Sequence, residues 1–214
     1  EWTPEPTVVT FDVCNYPEVR NRIDTKPDME GQKYQTSHSN DEYRTSVVDL
    51  LPPYTVQKSP SGNGAPLSTY GWLDYFTAKA SSAWNDAKFH DLLILNVGYM
   101  GSVEMKTPTV IQGKYKVTLG FGYATSQKFM VDMTGGSNGG QMKFSFDDQS
   151  VTATPYTTVP SNTLGNYTYV LFDELEFSST STHSFKIVVM DPAASTNSNF
   201  RIYIDYLLFE PIND

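Results

Sequence analysis

Three stretches in the C-terminal half alternate apolar and polar residues with a period of two: 113–123 (GKYKVTLGFGY), 183–190 (HSFKIVVM) and 200–211 (FRIYIDYLLFEP). Successive side chains of a strand point to opposite faces, so this period marks strands with one buried and one solvated face. Tyr115, Val117, Leu119 and Phe121 form the buried set of the first stretch, and Phe185, Ile187 and Val189 that of the second. Phe200, Ile202, Ile204, Tyr206 and Leu208 continue the pattern in the third. Three such runs predict a mostly all-β chain folded as a β-sandwich. Sandwiches bind with their loops or with one concave face, which turns the search for function away from catalytic motifs.

At 214 residues the chain has room for one large β domain with a substantial core. Its formal net charge of -9 excludes attachment to phosphate backbones or anionic lipids through an excess of Lys and Arg, so no nucleic-acid partner is expected. No long apolar segment is present, and this segment is not expected to insert directly into a membrane. Cys14 is the only cysteine, which rules out an intrachain disulfide and a thiolate metal cluster. The chain starts at Glu1 without a methionine and reads as a mature or excised piece whose targeting signal has been removed. Aromatic residues make up 14% of it, tyrosine foremost, a composition that suits ligand platforms as well as sheet packing.

Further strands are predicted over 7–14 (TVVTFDVC), 46–51, 54–57, 92–97 (LLILNV), 102–105 and 167–177 (YTYVLFDELEF). Residues 15–44 are polar and aperiodic and read as a long surface loop with short strands, while 59–68 (SPSGNGAPLS) is a turn-rich connector. In 71–91, Trp72, Phe76, Ala80, Ala83 and Ala87 fall near helical spacing, which predicts one short helix. Residues 128–133 and 141–146 are expected to pair as a hairpin across the glycine run 134–140 (TGGSNGG). That run lacks the Lys-Ser/Thr and the helix of a phosphate-binding loop. Two parts result: an N-terminal elaboration over 1–91 that adds strands and loops to the same domain, and a core over 92–214.

The order of these pieces resembles family 6 carbohydrate-binding modules. Gly98-Tyr99-Met100, Val103-Glu104-Met105 and Gly113-Lys114-Tyr115-Lys116-Val117 are similar to the family's Gly-Tyr turn and its following strands. Ser181 to Ile187 is similar to its Gly-Thr-His-Thr-Leu strand, and 199–211 to its closing strand ending in Pro. The wording of 98–108, 113–121, 183–192 and 199–212 also resembles modules of Bacteroidetes surface lipoproteins, often found beside fasciclin-like domains. The resemblance, over roughly half the chain, implies a galactose-binding-like jelly roll. It also implies an extracellular or outer-membrane-surface setting and a non-catalytic role in binding a glycan or polysaccharide. It leaves open a structural calcium ion, whose N-terminal acidic ligands are not identifiable here, and no other cofactor is expected. An adhesion or scaffolding module that contacts protein, including neighbouring domains of the same lipoprotein, is the competing class.

Sugar rings stack their C–H faces on aromatic side chains, and their hydroxyls need planar amide or carboxylate partners. Carried over from the family's loop-edge site, these roles fall on Tyr99, on Tyr167 beside Asn166, and on Asn197 or Asn199, with Tyr standing at the second aromatic position where the family has Trp. Trp72, with Tyr75 and Trp84, is a second aromatic concentration and a further binding candidate. A turn or core role is the competing reading of each.

Catalytic readings are poorer. His38, His90 and His183 show no metal-ligand spacing, and no Gly-x-Ser-x-Gly elbow is present, although a triad needs its members to meet only in space. Asp173, Glu174 and Glu176 offer a carboxylate pair of the kind a glycosidase uses, but Glu174 and Glu176 lie two residues apart on one strand and a solvated face is the stronger explanation. Asp147-Asp148 sits in a turn whose oxygens suit calcium.

Overall fold

A computed structural model describes residues 3–13, 33–35, 55–57, 72–77, 91–131, 138–160, 163–197 and 200–213. They form two antiparallel sheets packed as a jelly-roll sandwich. The larger has seven strands, of which six run β10 (Gly165–Phe177), β7 (Gly113–Tyr123), β12 (Ile202–Pro211), β5 (Asp91–Asn96), β4 (Trp72–Thr77) and β2 (Lys33–Gln35). The seventh, β1 (Val9–Asp12), pairs with β12 over residues 206–209, beyond the 202–204 segment held by β5. The smaller sheet runs β3 (Thr55–Gln57), β6 (Ser102–Lys106), β11 (Ser184–Val189), β8 (Met142–Phe146) and β9 (Gln149–Ala153). The first 91 residues thus extend both sheets: β4 and β2 lengthen the larger, and β3 adds an edge to the smaller.

Between the sheets the alternating residues meet as expected. Tyr115, Val117, Leu119 and Phe121 face Phe185, Ile187 and Val189, each at most 1% exposed. Phe146 anchors the centre, stacked on Phe185 at 4.9 Å and set edge-on to Phe209 at 5.6 Å. A filled aromatic core of this kind is the main favourable term of the fold, each large side chain contributing about 1.5–3 kcal/mol through burial.

The third alternating stretch departs from its pattern. A bulge between Ile204 and Tyr206 shifts the period by one, so Leu207 and Phe209 turn inward at 0% exposure and Tyr206 and Leu208 face outward. The displaced Tyr206 ring lies on Gly120 of β7, where an added Cβ would come within 2.2 Å of it.

Three further expectations are corrected. Residues 72–77 are a strand, not part of a helix: β4 pairs with β5 at six successive positions from Trp72↔Asn96 to Thr77↔Asp91. The aromatic and β-branched residues here favour a sheet with a partner on offer, and the alanines that gave the helical spacing, Ala80, Ala83 and Ala87, lie outside the described residues. Residues 128–130 belong to a 3-10 helix, Thr125–Met130, where a strand over 128–133 was expected. Gln127, 1% exposed, holds it by accepting from the Ala124 N–H at 2.9 Å and donating to the Arg201 carbonyl. Finally, β8 does not form a hairpin across the glycine run; it turns at Asp147-Asp148 into β9, a strand the sequence reading missed.

The antiparallel registers sort the connections into two ends. Among the described residues, 97–101, 124–131, 138–141, 154–160, 163–164, 190–197 and 200–201 gather at one end, and 107–112, 147–148 and 178–183 at the other.

Candidate functional site

Tyr99, Asn166, Tyr167, Asn197 and the start of β4 at Trp72 all belong to the first of these ends. Asn199, the Trp72 side chain, Trp84, His38, His90 and Cys14 lie outside the described residues. Sharing an end does not bring these residues together. Three strand steps separate β10, which carries Asn166 and Tyr167, from β5, which leads into Tyr99, a span of about 14 Å at the usual interstrand spacing.

Tyr99 sits in a tight turn. Gly98 and Met100 have φ of 79° and 65°, and the Gly101 N–H donates to the Gly98 carbonyl at 3.0 Å. The turn is pinned to β11 by Met100 N–H to the Val189 carbonyl at 2.7 Å and by Val189 N–H to the Gly101 carbonyl at 2.9 Å. The Tyr99 ring is half-buried against the core between the sheets. Asn197 caps another turn, its N–H donating to Ala193 and its carbonyl accepting from Phe200.

Asn166 and Tyr167 are consecutive in β10 and therefore face opposite ways. Tyr167 points between the sheets, its ring 6.2 Å from Phe121 and edge-on to Tyr123 at 6.4 Å, and its hydroxyl donates to the Thr163 carbonyl at 2.7 Å. Asn166 points to the outer face of the larger sheet, in a row with Gly122, Tyr203 and Ile94. Leu92, Ile94, Ala124 and Tyr203 form a second buried apolar cluster on that face, with half-buried Leu164 packed against it. Both polar side-chain atoms of Asn166 are withdrawn from solvent and have no hydrogen-bond partner among the described residues.

The loops of this end are tied together by residues the sequence reading passed over. Asp191, fully buried, accepts from Ala193 N–H at 3.0 Å and from Gly140 N–H at 2.8 Å, joining the 190–201 segment to the glycine run. Asp-Pro ahead of a short turn was the available signal, since a carboxylate there caps free N–H groups and proline presets φ. Tyr156 is buried at the same end and its hydroxyl accepts from Tyr203 N–H at 3.2 Å. Burial pushes that phenol well above its ordinary range, so it stays neutral.

At the opposite end the chain Asp147–His183–Ser181 has the outline of a catalytic triad. His183 Nδ1 lies 2.7 Å from Asp147 Oδ2, and Nε2 lies 3.5 Å from Ser181 Oγ. The rest of the geometry is that of a clamp. His183 is 5% exposed and stacked flat on Phe177 at 3.8 Å, and its backbone exchanges bonds with Thr107. Asp147, at φ 52°, also accepts from Ser184 N–H at 3.0 Å, so both its oxygens are engaged. Desolvation works to raise this carboxyl; the hydrogen bonds from His183 and Ser184 and the charges of His183 and Lys106 outweigh it and hold the carboxyl below its ordinary value. Glu174 pairs with Lys114 at 3.5 Å on a solvated surface. Among the described residues no three His, Cys, Asp or Glu side chains are grouped to hold a metal ion.

The chain matches the family model Domain of unknown function (DUF5108) over residues 11–212. It belongs to that family. No curated protein matches the chain. Among solved structures, the DUF5108 domain is similar to a Paenibacillus xanthan lyase, at 14% identity and a TM-score of 0.47, covering 64% of this chain and 11% of the lyase. It is also similar to the Podospora anserina GH26-CBM35 β-(1,4)-mannanase, at 10% identity and a TM-score of 0.40, covering 76% of this chain and 28% of that one. A Stig cyclase from Fischerella sp. TAU matches at 11% identity and a TM-score of 0.45, covering 97% of this chain and 100% of the cyclase. At such identities and scores none of them bears on what the DUF5108 domain binds.

Proposed function

We propose that this domain is a non-catalytic carbohydrate-binding module of a bacterial cell-surface lipoprotein, working outside the cell and needing no cofactor to bind. The observation that carries the reading is that the turn with Tyr99, the start of β10 with Asn166 and Tyr167, and the turn with Asn197 gather at one end of the sandwich. The resemblance to family 6 modules adds to this. A protein-contact role calls for a contiguous exposed apolar patch. Among the described residues the exposed large apolar side chains are Val8 and Val170, with β12 and β7 between them.

Affinity is expected to be weak, because a shallow site orders a ligand without enclosing it. The test is a glycan array probed with the folded domain, followed by titration of the best ligand. Saturable binding at millimolar concentration or below supports the reading; no binding by a folded sample across polysaccharides and monosaccharides refutes it.

A further inference from the structure

We infer that the outer face of the smaller sheet is a docking surface for an acidic polysaccharide, held by a diagonal row of lysines, Lys106, Lys186 and Lys143. This rests on the carbohydrate reading above and gives it a ligand class.

The alternation that buries Met105, Ile187 and Phe144 turns Lys106, Lys186 and Lys143 to the outer face. Register sets them in line. Lys106 of β6 pairs with Ser184 of β11; Lys186, two residues further along β11, pairs with Ser145 of β8; and Lys143, two residues further along β8, pairs with Val188. One strand across and two residues along is about 8 Å, so the row crosses β6, β11 and β8 in even steps and spans about 17 Å. That is a length for an oligosaccharide and not for one sugar. Lys106 and Lys143 are exposed and Lys186 is half-buried, and among the described residues neither Lys143 nor Lys186 is tied up in an ion pair. The carboxylates beside the row are already engaged. Glu104, paired with Lys186, accepts from Ser184 Oγ at 2.7 Å, and Asp147 is held by His183 and the Ser184 N–H. The acidic Asp147-Asp148 turn lies at the Lys106 end, so the positive charge is concentrated toward Lys143, whose neighbours across the ladder are Val188 and Thr152.

What surrounds the lysines favours a glycan. Ser145, Ser150 and Thr152 present hydroxyls on the same face, which pair with those of a sugar. Val188, half-buried, is the apolar side chain beside the row, too little for the apolar core of a protein interface, where lysine is depleted. A row this short also falls below what a nucleic acid or an anionic membrane surface requires. Because the chain as a whole carries a net charge of -9, it repels polyanions elsewhere and confines an acidic chain to this row.

The test is NMR titration of the labelled domain with hexagalacturonate, its methyl ester, dextran sulfate and a polyglutamate peptide. Hexagalacturonate is expected to bind saturably, with shift changes along 104–106, 143–145 and 184–188. Its methyl ester should bind about tenfold more weakly, and raising salt from about 20 to about 150 mM should weaken the acid form about fivefold, since exposed charges are screened. Lys143→Gln and Lys186→Gln should each weaken binding about threefold and the double variant about tenfold, whereas Lys116→Gln, exposed on the larger sheet, should bind normally. Comparison with dextran sulfate tells a carboxylate polymer from a sulfate polymer, and binding of either at these residues supports the row. Lysine variants that bind like the unaltered domain, polyglutamate bound as tightly as the acidic glycans, or no binding of either acidic glycan at low salt would overturn it. In each of those cases the carbohydrate reading is decided separately, by the neutral glycans of the array.

Discussion

Replacing Asp147 isolates the clamp at the end of the sandwich away from the proposed sugar site. The residue does two things. It holds the buried His183 ring and the Ser184 N–H, and it occupies a left-handed backbone position at φ 52°. Asp147→Asn keeps a side chain that tolerates φ above zero and retains an oxygen for one donor, so only the charge-assisted part is lost, about 1 kcal/mol. Asp147→Gly removes both hydrogen bonds while relieving the backbone; the two bonds together contribute about 2 kcal/mol, taken at the low end because the side chain is 50% exposed. Asp147→Ala loses the same bonds and adds about 1 kcal/mol for a Cβ at positive φ, making it the least stable of the three at about 3 kcal/mol. For a chain of this length each kcal/mol moves the melting temperature by about 2–4 °C, so the series should read Asn, Gly, Ala in falling order across about 10 °C. The pH dependence has a definite sign. Since the folded carboxyl is held below its ordinary value, its contribution is present above the unfolded value near 3.8 and is lost as pH falls through the folded one. Asp147→Asn should therefore approach the unaltered chain in stability as pH drops below about 4. Thermal melts at pH 7 and across pH 3 to 6 check both points. Asp147→Ala melting with the unaltered chain, or acid curves that stay parallel, would refute the clamp.

Other outcomes follow from packing. Phe146→Ala opens a hole among Phe185, Phe172, Phe177 and Phe209 and is expected to cost about 3–5 kcal/mol, read by urea denaturation. Gly101→Ala puts a Cβ 2.2 Å from the Val97 carbonyl oxygen, a backbone atom that cannot move aside, so the melting temperature should fall by several degrees. Tyr156→Phe strips the Tyr203 N–H of its acceptor and should destabilise by about 1–3 kcal/mol with secondary structure intact by circular dichroism.

The strands with a buried face were legible because burial imposes a period, and β7 falls where its alternation placed it, over Gly113–Tyr123. The same logic failed at β12, where a bulge changes the period without changing composition and the run IYIDYLLFEP supports either face for Tyr206. It failed again at Trp72–Thr77, where local spacing favoured a helix and only the distant partner β5 decides for a strand. Of the binding candidates, the sequence placed Tyr99, Asn166, Tyr167 and Asn197 near strand ends, and those ends do gather. Which way each side chain points is a matter of register and turn geometry. Tyr167 and Asn166 differ by a single step and face opposite sides, and no spacing rule distinguishes a ring turned into the core from one turned out. The His183–Asp147 clamp was invisible for a related reason, since 36 residues separate its members in the chain.

Backbone amide mapping of a glycan bound to the labelled domain tests the assignment of function to one end of the sandwich most directly. The expected result is saturable shift changes centred on residues 97–101, 163–167 and 190–197, with little change at 107–112, 147–148 and 178–183. Changes centred on the Asp147–His183 end, or none with any glycan at saturating concentration, would contradict it.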